Sequence, residues 1–164
     1  MARRERGRGM DIAEYELNEK LCEELIAMSE DWANENSCRG YFKNERENIE
    51  GNRIFLAREN GRTVGYLFGK LEIEEKGNTV VEKGGNYFEV EELYVVPDFR
   101  SQGVGRALFD HAERALRAET RFFMVSTATK DWRRILHFYI EELGMSFWSA
   151  RLFKEISGVK ETAD

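Results

Sequence analysis

A chain of 164 residues with 41% hydrophobic and 34% charged residues suits one folded domain with a single core. The formal charge of −6 argues against general nucleic-acid binding and is compatible with a cationic partner. No apolar run is long enough to span a membrane and no signal-peptide core is visible, so the default expectation is a cytoplasmic protein without membrane contact.

Residues 1–9 carry Arg3, Arg4, Arg6 and Arg8 without apolar periodicity and read as a disordered basic arm. The folded domain is expected over residues 10–157, with 158–164 as a tail. Ile12 to Leu17 alternates weakly and reads as a first strand. From Asn18 to Asn34, Leu21, Cys22, Leu25, Met28 and Trp32 mark one helical face. Phe42 to Ile49 reads as a second, poorly defined helix. Arg53 to Glu59 and Thr63 to Glu74 flank Asn60-Gly61, a strong hairpin signal. Glu74 to Gly85 has no pattern and reads as a mobile connection. Asn86 to Val96 reads as a central strand and Gly103 to Ala118 as a helix. Phe122 to Ser126 is continuously apolar, as expected of a strand buried on both faces. Asp131 to Leu143 reads as a helix with Trp132, Ile135, Leu136, Tyr139 and Leu143 on one face. Ser146 to Ile156 alternates through Trp148, Ala150 and Leu152 and reads as a last strand or hairpin. This order predicts an α/β fold: a mixed sheet with helices on both faces. Cys22 falls on an apolar helical face, and neither Cys22 nor Cys38 has metal-ligand spacing, so no metal is expected.

One stretch carries chemistry. Leu93 to Val96 are strand formers, Pro97-Asp98 ends the strand, and Arg100-Ser101-Gln102-Gly103-Val104-Gly105 leads into a helix. A glycine-containing loop at a helix start turns several N–H groups and a partial positive charge toward one point, which is a phosphate cradle. This run resembles the pantetheine- and pyrophosphate-binding motif of the GNAT superfamily of acetyl-CoA-dependent N-acyltransferases. The preceding Leu-Tyr-Val-x-Pro-Asp-Phe-Arg context is similar as well, and the element order matches the GNAT order over about residues 10–156.

The resemblance implies an N-acetyltransferase that takes acetyl-CoA as co-substrate and a small-molecule or peptide amine as acceptor. It assigns the phosphates to the backbone of Ser101, Gln102, Gly103, Val104, Gly105 and Arg106. Arg100 would order the loop or meet a phosphate. Leu93, Tyr94 and Val95 would pair with the pantetheine arm. Phe138-Tyr139, followed by Leu143-Gly144-Met145, resembles the family's Phe-Tyr-x-x-Leu-Gly-Phe signature, which makes Tyr139 the proton donor to the leaving thiolate. The spacing departs from that signature by one extra residue between Tyr139 and Leu143. The family's Asn seven residues before the tyrosine is Trp132 here, so that contact is not carried over. Glu92 is the favoured base, with Glu89, Glu91 or a water as alternatives. Plain alternation puts Glu89 and Glu91 on one face and Glu92 on the other with Tyr94, although a bulge common in this strand of the family leaves the facing open. Dimerisation is common in the family and makes a homodimer a possible assembly.

Two other readings make different demands on these residues. A non-catalytic acyl-CoA-binding domain would keep the loop and need neither Glu92 nor Tyr139. A dinucleotide fingerprint would need a small residue where Leu108 stands. His111 and His137 read as surface or cap-like histidines. Tyr41, Phe42 and Trp148 are candidates for lining the acceptor site, whose identity the sequence leaves open.

Overall fold

The structure is a computed structural model and describes residues 9–156; most of the expected basic arm and the expected tail lie outside the described residues. Five strands form one sheet in the order β1 (Met10–Tyr15), β2 (Arg53–Glu59), β3 (Arg62–Ile73), β4 (Asn86–Val95), β5 (Phe123–Val125). Neighbours are antiparallel except β4 and β5, which run parallel. Helix α1 (Glu19–Asn34) starts where the Asn18 side chain accepts a hydrogen bond from the Leu21 N–H at 2.9 Å. The β2–β3 turn has Asn60 and Gly61 at φ 51° and 78°, the left-handed pair that a tight hairpin requires.

Each sheet face carries a core. Helix α3 (Val104–Leu116) sets Val104, Leu108, Phe109, Ala112 and Leu116 against Phe55, Ala57, Leu67, Phe88 and Val90. On the other face α1 sets Leu21, Cys22, Leu25 and Met28 against Ile54, Leu56, Tyr66, Phe68 and Tyr94. The two sets alternate along each strand, as the pleat requires. Burial of each large side chain contributes about 1.5–3 kcal/mol, so both faces are needed to hold the sheet.

Several expectations change. The second helix shortens to one turn, α2 (Arg46–Ile49), and Phe42 is exposed. The polypeptide ahead of α2 is engaged elsewhere, because the Asn44 N–H donates to Ser29 Oγ at 2.8 Å and Glu45 caps the turn with Asn48. Glu74 to Gly85 forms compact turns closed by Glu74 N–H to Gly85 O at 2.8 Å, with Val81 buried inside. β5 is three residues long, lies at the sheet edge and is half-buried, not buried on both faces. Residues 146–156 form no strand, and Phe147, Trp148, Leu152, Phe153 and Ile156 are exposed. Trp132 is also exposed, with the Arg133 guanidinium 4.4 Å from its ring centre.

Helix α4 (Trp132–Leu136) continues into a wider π-helical turn over His137–Glu142. There the Leu143 N–H donates to Phe138 O at 3.0 Å, a bond spanning five residues instead of four. The wide turn holds the one extra residue between Tyr139 and Leu143, and both side chains still pack against the α3-side core.

β4 carries the other irregularity. Glu92 pairs with Phe68 and Val90 with Gly69, so Glu91 has no partner and forms a bulge. Phe88 and Val90 face the α3-side core before the bulge, as do Leu93 and Val95 after it. Glu89 and Glu92 therefore share the opposite face, correcting the plain alternation. Gly69 is essential to this geometry, because a Cβ there would lie 2.1 Å from the Glu89 carbonyl oxygen. Gly69→Ala is expected to lower stability by about 1–3 kcal/mol, the usual range for forced overpacking. Chemical denaturation measures this, and an unchanged midpoint would show that the bulge relaxes freely.

Candidate active site

Beyond Val90 and Val125 the parallel strands stop pairing, and a cleft of about 420 Å³ opens between their ends. The two sides are joined at the far end. Arg39 N–H donates to Ala128 O and Lys130 N–H to Ser37 O, both at 2.9 Å, so the loop after α1 is tied to the loop after β5.

The floor is the exposed edge of β4. Val96 N–H donates to Val64 O on β3, while Val95 O accepts from Arg100 Nε at 2.8 Å on the opposite edge. Alternation then turns the main chain of Leu93 and Val95 toward the cleft. Tyr94 turns its main chain to β3 and meets the cleft through its ring.

Pro97–Phe99 makes a single 3₁₀ turn and delivers the chain to the loop. Ser101 and Gly103 both have left-handed backbones, φ 58° and 82°. The first helical bond of α3 is Ala107 N–H to Gly103 O at 2.9 Å. The N–H groups of Val104, Gly105 and Arg106 precede it and have no intrahelical partner. Gly105 admits the Phe138 ring, since a Cβ there would stand 3.3 Å from its tip. Gln102 Nε2 donates to Asp98 O at 2.8 Å and braces the loop. The Arg106 Nε lies 3.7 Å from Asp110 on the exposed helix face. This end of the cleft can hold an anion through backbone donors and the helix dipole.

Arg100 is already engaged within the chain. Besides Val95 O, its NH2 lies 2.7 Å from Glu35 Oε1, and its guanidinium centre is 5.4 Å from the Tyr94 ring centre. Tyr94 also donates to Glu35 at 3.0 Å. Glu35 sits at the C-terminus of α1, where the helix dipole disfavours an anion, and Arg100 offsets that cost. Burial first, then Glu35, pushes the Tyr94 hydroxyl up to about 12. Arg100 thus locks the loop to α1, and Glu35 is a site-building residue that no local motif signals.

Glu92 lies beneath the cleft and is 8% exposed. Its Oε1 accepts from Tyr41 OH at 3.0 Å and Asn44 Nδ2 at 2.8 Å, and its Oε2 accepts from Tyr66 OH at 2.7 Å. Burial holds the carboxyl above its usual range; the bonds from Tyr66, Asn44 and Tyr41 pull it down, and nearby Glu91 raises it. Tyr66 and Asn44 were not foreseen from the sequence, because they lie 26 and 48 residues from Glu92. Glu91 is exposed at the bulge, on the rim of the cleft.

Tyr139 and Phe138 line the opposite wall. Among the described residues the Tyr139 hydroxyl has no hydrogen-bond partner, and burial, with a smaller contribution from Cys38, pushes it up to about 12. Cys38 is half-buried in the cleft wall, whereas Cys22 is buried in the α1 core. His137 is exposed, and its nearest carboxylate, Glu142, is 3.9 Å away.

Glu89 shares a face with Glu92 without reaching the cleft. Burial, then repulsion from Glu91 and Glu72, pushes it up to about 7. Lys70 stands opposite it on β3. The folded pKa exceeds the unfolded value of about 4.3. Its stabilising share is therefore complete below that value and is lost as pH rises through about 7. Glu89→Gln is expected to raise Tm at about pH 8 and leave it nearly unchanged at about pH 4. An equal shift at both pH values would mean that charge is not the cause.

Three solved structures share this architecture. An aminoglycoside acetyltransferase from an uncultured soil metagenomic sample is 19% identical, with 90% of this chain and 99% of that chain covered and a TM-score of 0.66. AAC(6')-Iy, solved with the bisubstrate analogue CoA-S-monomethyl-acetylneamine, is 18% identical over 91% and 99% of the chains, TM-score 0.63. The ribosomal-protein-alanine N-acetyltransferase of Brucella melitensis biovar Abortus 2308 is 20% identical over 90% and 99%, TM-score 0.63. No curated protein matches the chain. The family model described as Acetyltransferase (GNAT) family matches residues 15–145, which takes in the bulged strand, the loop and the tyrosine wall, and the chain belongs to that family of acetyltransferases.

Proposed function

We propose that the protein transfers an acetyl group from acetyl-CoA to a primary amine by direct attack while both are bound. The observation that carries this reading is the cleft itself: Glu92 and Tyr139 line the same cavity, together with the backbone donors of the Arg100–Arg106 loop. In this reading the N–H groups from Ser101 to Arg106 hold the pyrophosphate, and Arg100 acts by fixing the loop. The cleft-facing main chain of Leu93 and Val95 pairs with the pantetheine arm beside the Tyr94 ring. An N–H of this edge polarises the thioester carbonyl, a contact of the kind worth several kcal/mol in a water-poor site.

An alkylamine with a pKa of about 10.4 is almost wholly protonated at neutral pH and needs a base. Glu92 supplies the accepting carboxylate. Burial keeps the Tyr139 hydroxyl protonated, the state a donor to the leaving thiolate needs. The acceptor is a small-molecule or peptide amine. Support for that class comes from the aminoglycoside and ribosomal-protein-alanine acetyltransferases of the same fold, and from the chain's net charge of −6.

The test is CoA release from acetyl-CoA with neamine, spermidine, lysine and an alanine-terminated peptide. At least one amine should be acetylated, and Tyr139→Phe should lower turnover about 100-fold with little change in CoA affinity. Tight CoA binding without acetylation of any amine would favour a binding module instead.

We also propose that the chain forms a homodimer through residues 146–156. The described chain carries both an open β5 edge and an exposed run of large apolar side chains, with the Arg39 guanidinium 5.1 Å from the Phe153 ring centre. These two features supply donor and acceptor for pairing two copies about a twofold axis. Sedimentation should find a dimer for the full chain and a monomer after removal of residues 146–164. A monomeric full chain would mean that the segment folds back on its own sheet.

A further inference from the structure

The hydrogen bonds around Glu92 bear on how a proton reaches it. Its Oε1 already accepts two bonds, from Tyr41 and Asn44, and its Oε2 accepts one from Tyr66. Each carboxylate oxygen offers about two acceptor positions, so Oε1 is full. The remaining position is on Oε2, the oxygen held by the fully buried Tyr66. An amine in the cleft therefore has poor direct access to Glu92. Tyr41 is different: it is half-buried, lines the cleft, and packs against Trp32 with ring centres 4.4 Å apart.

We infer that the Tyr41 hydroxyl is the group that receives the proton of the acceptor amine, passing its own proton to Glu92 Oε1. This rests on the acetyl-transfer reading above. As the N–C bond forms and the C–S bond breaks, the amine proton moves to the Tyr41 oxygen and the Tyr41 proton moves to Glu92. The leaving sulfur takes its proton from Tyr139. The attacking amine is neutral, Tyr41 ends the step neutral, Glu92 holds the amine proton, and Tyr139 is left as a phenolate that regains a proton from solvent as Glu92 releases its own. That proton has a way out away from the acyl group. A small pocket lined by Asn44, Glu47, Lys70 and Glu91 also reaches Glu92. Burial and the Glu92 charge hold the Tyr41 hydroxyl well above the ordinary tyrosine range. It therefore stays neutral and acts only in a concerted shift, never as a free phenolate.

Tyr66 provides the control, since it makes the same kind of bond to Glu92 and does not line the cleft. CoA release is measured with the same four amines for the parent, Tyr41→Phe, Tyr66→Phe and Glu92→Gln. Tyr41→Phe is expected to lose about 100-fold in turnover, as Glu92→Gln does, with KM for acetyl-CoA unchanged. The Tyr41→Phe, Glu92→Gln double variant should be no slower than the slower of these two single variants, as for residues acting as a unit. Tyr66→Phe should stay within about tenfold of the parent and move the acidic limb of the pH–rate profile upward, because the carboxylate loses a donor. Equal losses and equal limb shifts in the two Tyr→Phe variants would overturn the relay and leave both tyrosines as positioning residues. If Tyr41→Phe fails to fold, 3-fluorotyrosine at position 41 keeps the ring and makes its hydroxyl more acidic. The relay then predicts altered turnover, and unchanged turnover overturns it. A parent that acetylates none of the amines removes both this inference and the function it rests on, whereas an active parent with an active Tyr41→Phe removes the relay alone.

Discussion

The bulge at Glu91 is the constraint on which the rest depends. One residue without a partner shifts the facing of everything after it on β4. Glu89 and Glu92 come to share a face, and Leu93 and Val95 return to the α3-side core. The same irregularity occurs where β4 parts from β5, so the strand that is central at Phe88 has a free edge at Leu93. A regular sheet would continue the β4–β5 ladder and close the cleft. The bulge therefore opens the groove and also places a carboxylate beneath it.

Two further devices hold the groove open. Arg100 reaches back across the loop to Val95 O and to Glu35 at the end of α1, so the loop before α3 is tied to the helix on the other sheet face. The Cys38–Thr129 bridge joins the loops after α1 and β5 across the top. Both are polar links between segments far apart in sequence. Both are partly buried, where a charged or backbone hydrogen bond is weakened less by solvent. The site is thus built from main-chain irregularities held in place by a few ion pairs and hydrogen bonds.

These features explain which parts were legible. Asn18 before a periodic run, Asn60-Gly61 between strands, and Arg100 to Gly105 before a helix are local signals, each with a local physical cause, and each gave an element close to the observed one. The bulge left no such mark. Glu89-Val90-Glu91-Glu92 reads equally well in either facing, and the residue that permits the bulge, Gly69, lies on the neighbouring strand. Asn44 and Tyr66 had no signal tying them to Glu92, because hydrogen bonds across the sheet leave no periodicity. The extra residue before Leu143 was visible, but its accommodation by a π-helical turn depended on Tyr139 and Leu143 already being fixed against the core.

The last segment shows the limit of pattern from the other side. Trp148, Ala150 and Leu152 alternate as strand residues do, yet residues 146–156 form no strand. Alternation specifies which side chains share a face; it does not supply the neighbouring chain whose N–H and C=O groups complete a ladder. A strand is a property of a pair. β5 leaves an edge open, and the apolar load of Phe147, Leu152, Phe153 and Ile156 is larger than isolated surface residues require. The tie between Arg39 and Ala128 stands beside that edge, and Arg39 also meets Phe153. The open edge is therefore linked through Arg39 to the loop that carries Tyr41, and a chain that completed the ladder would bear on that end of the cleft.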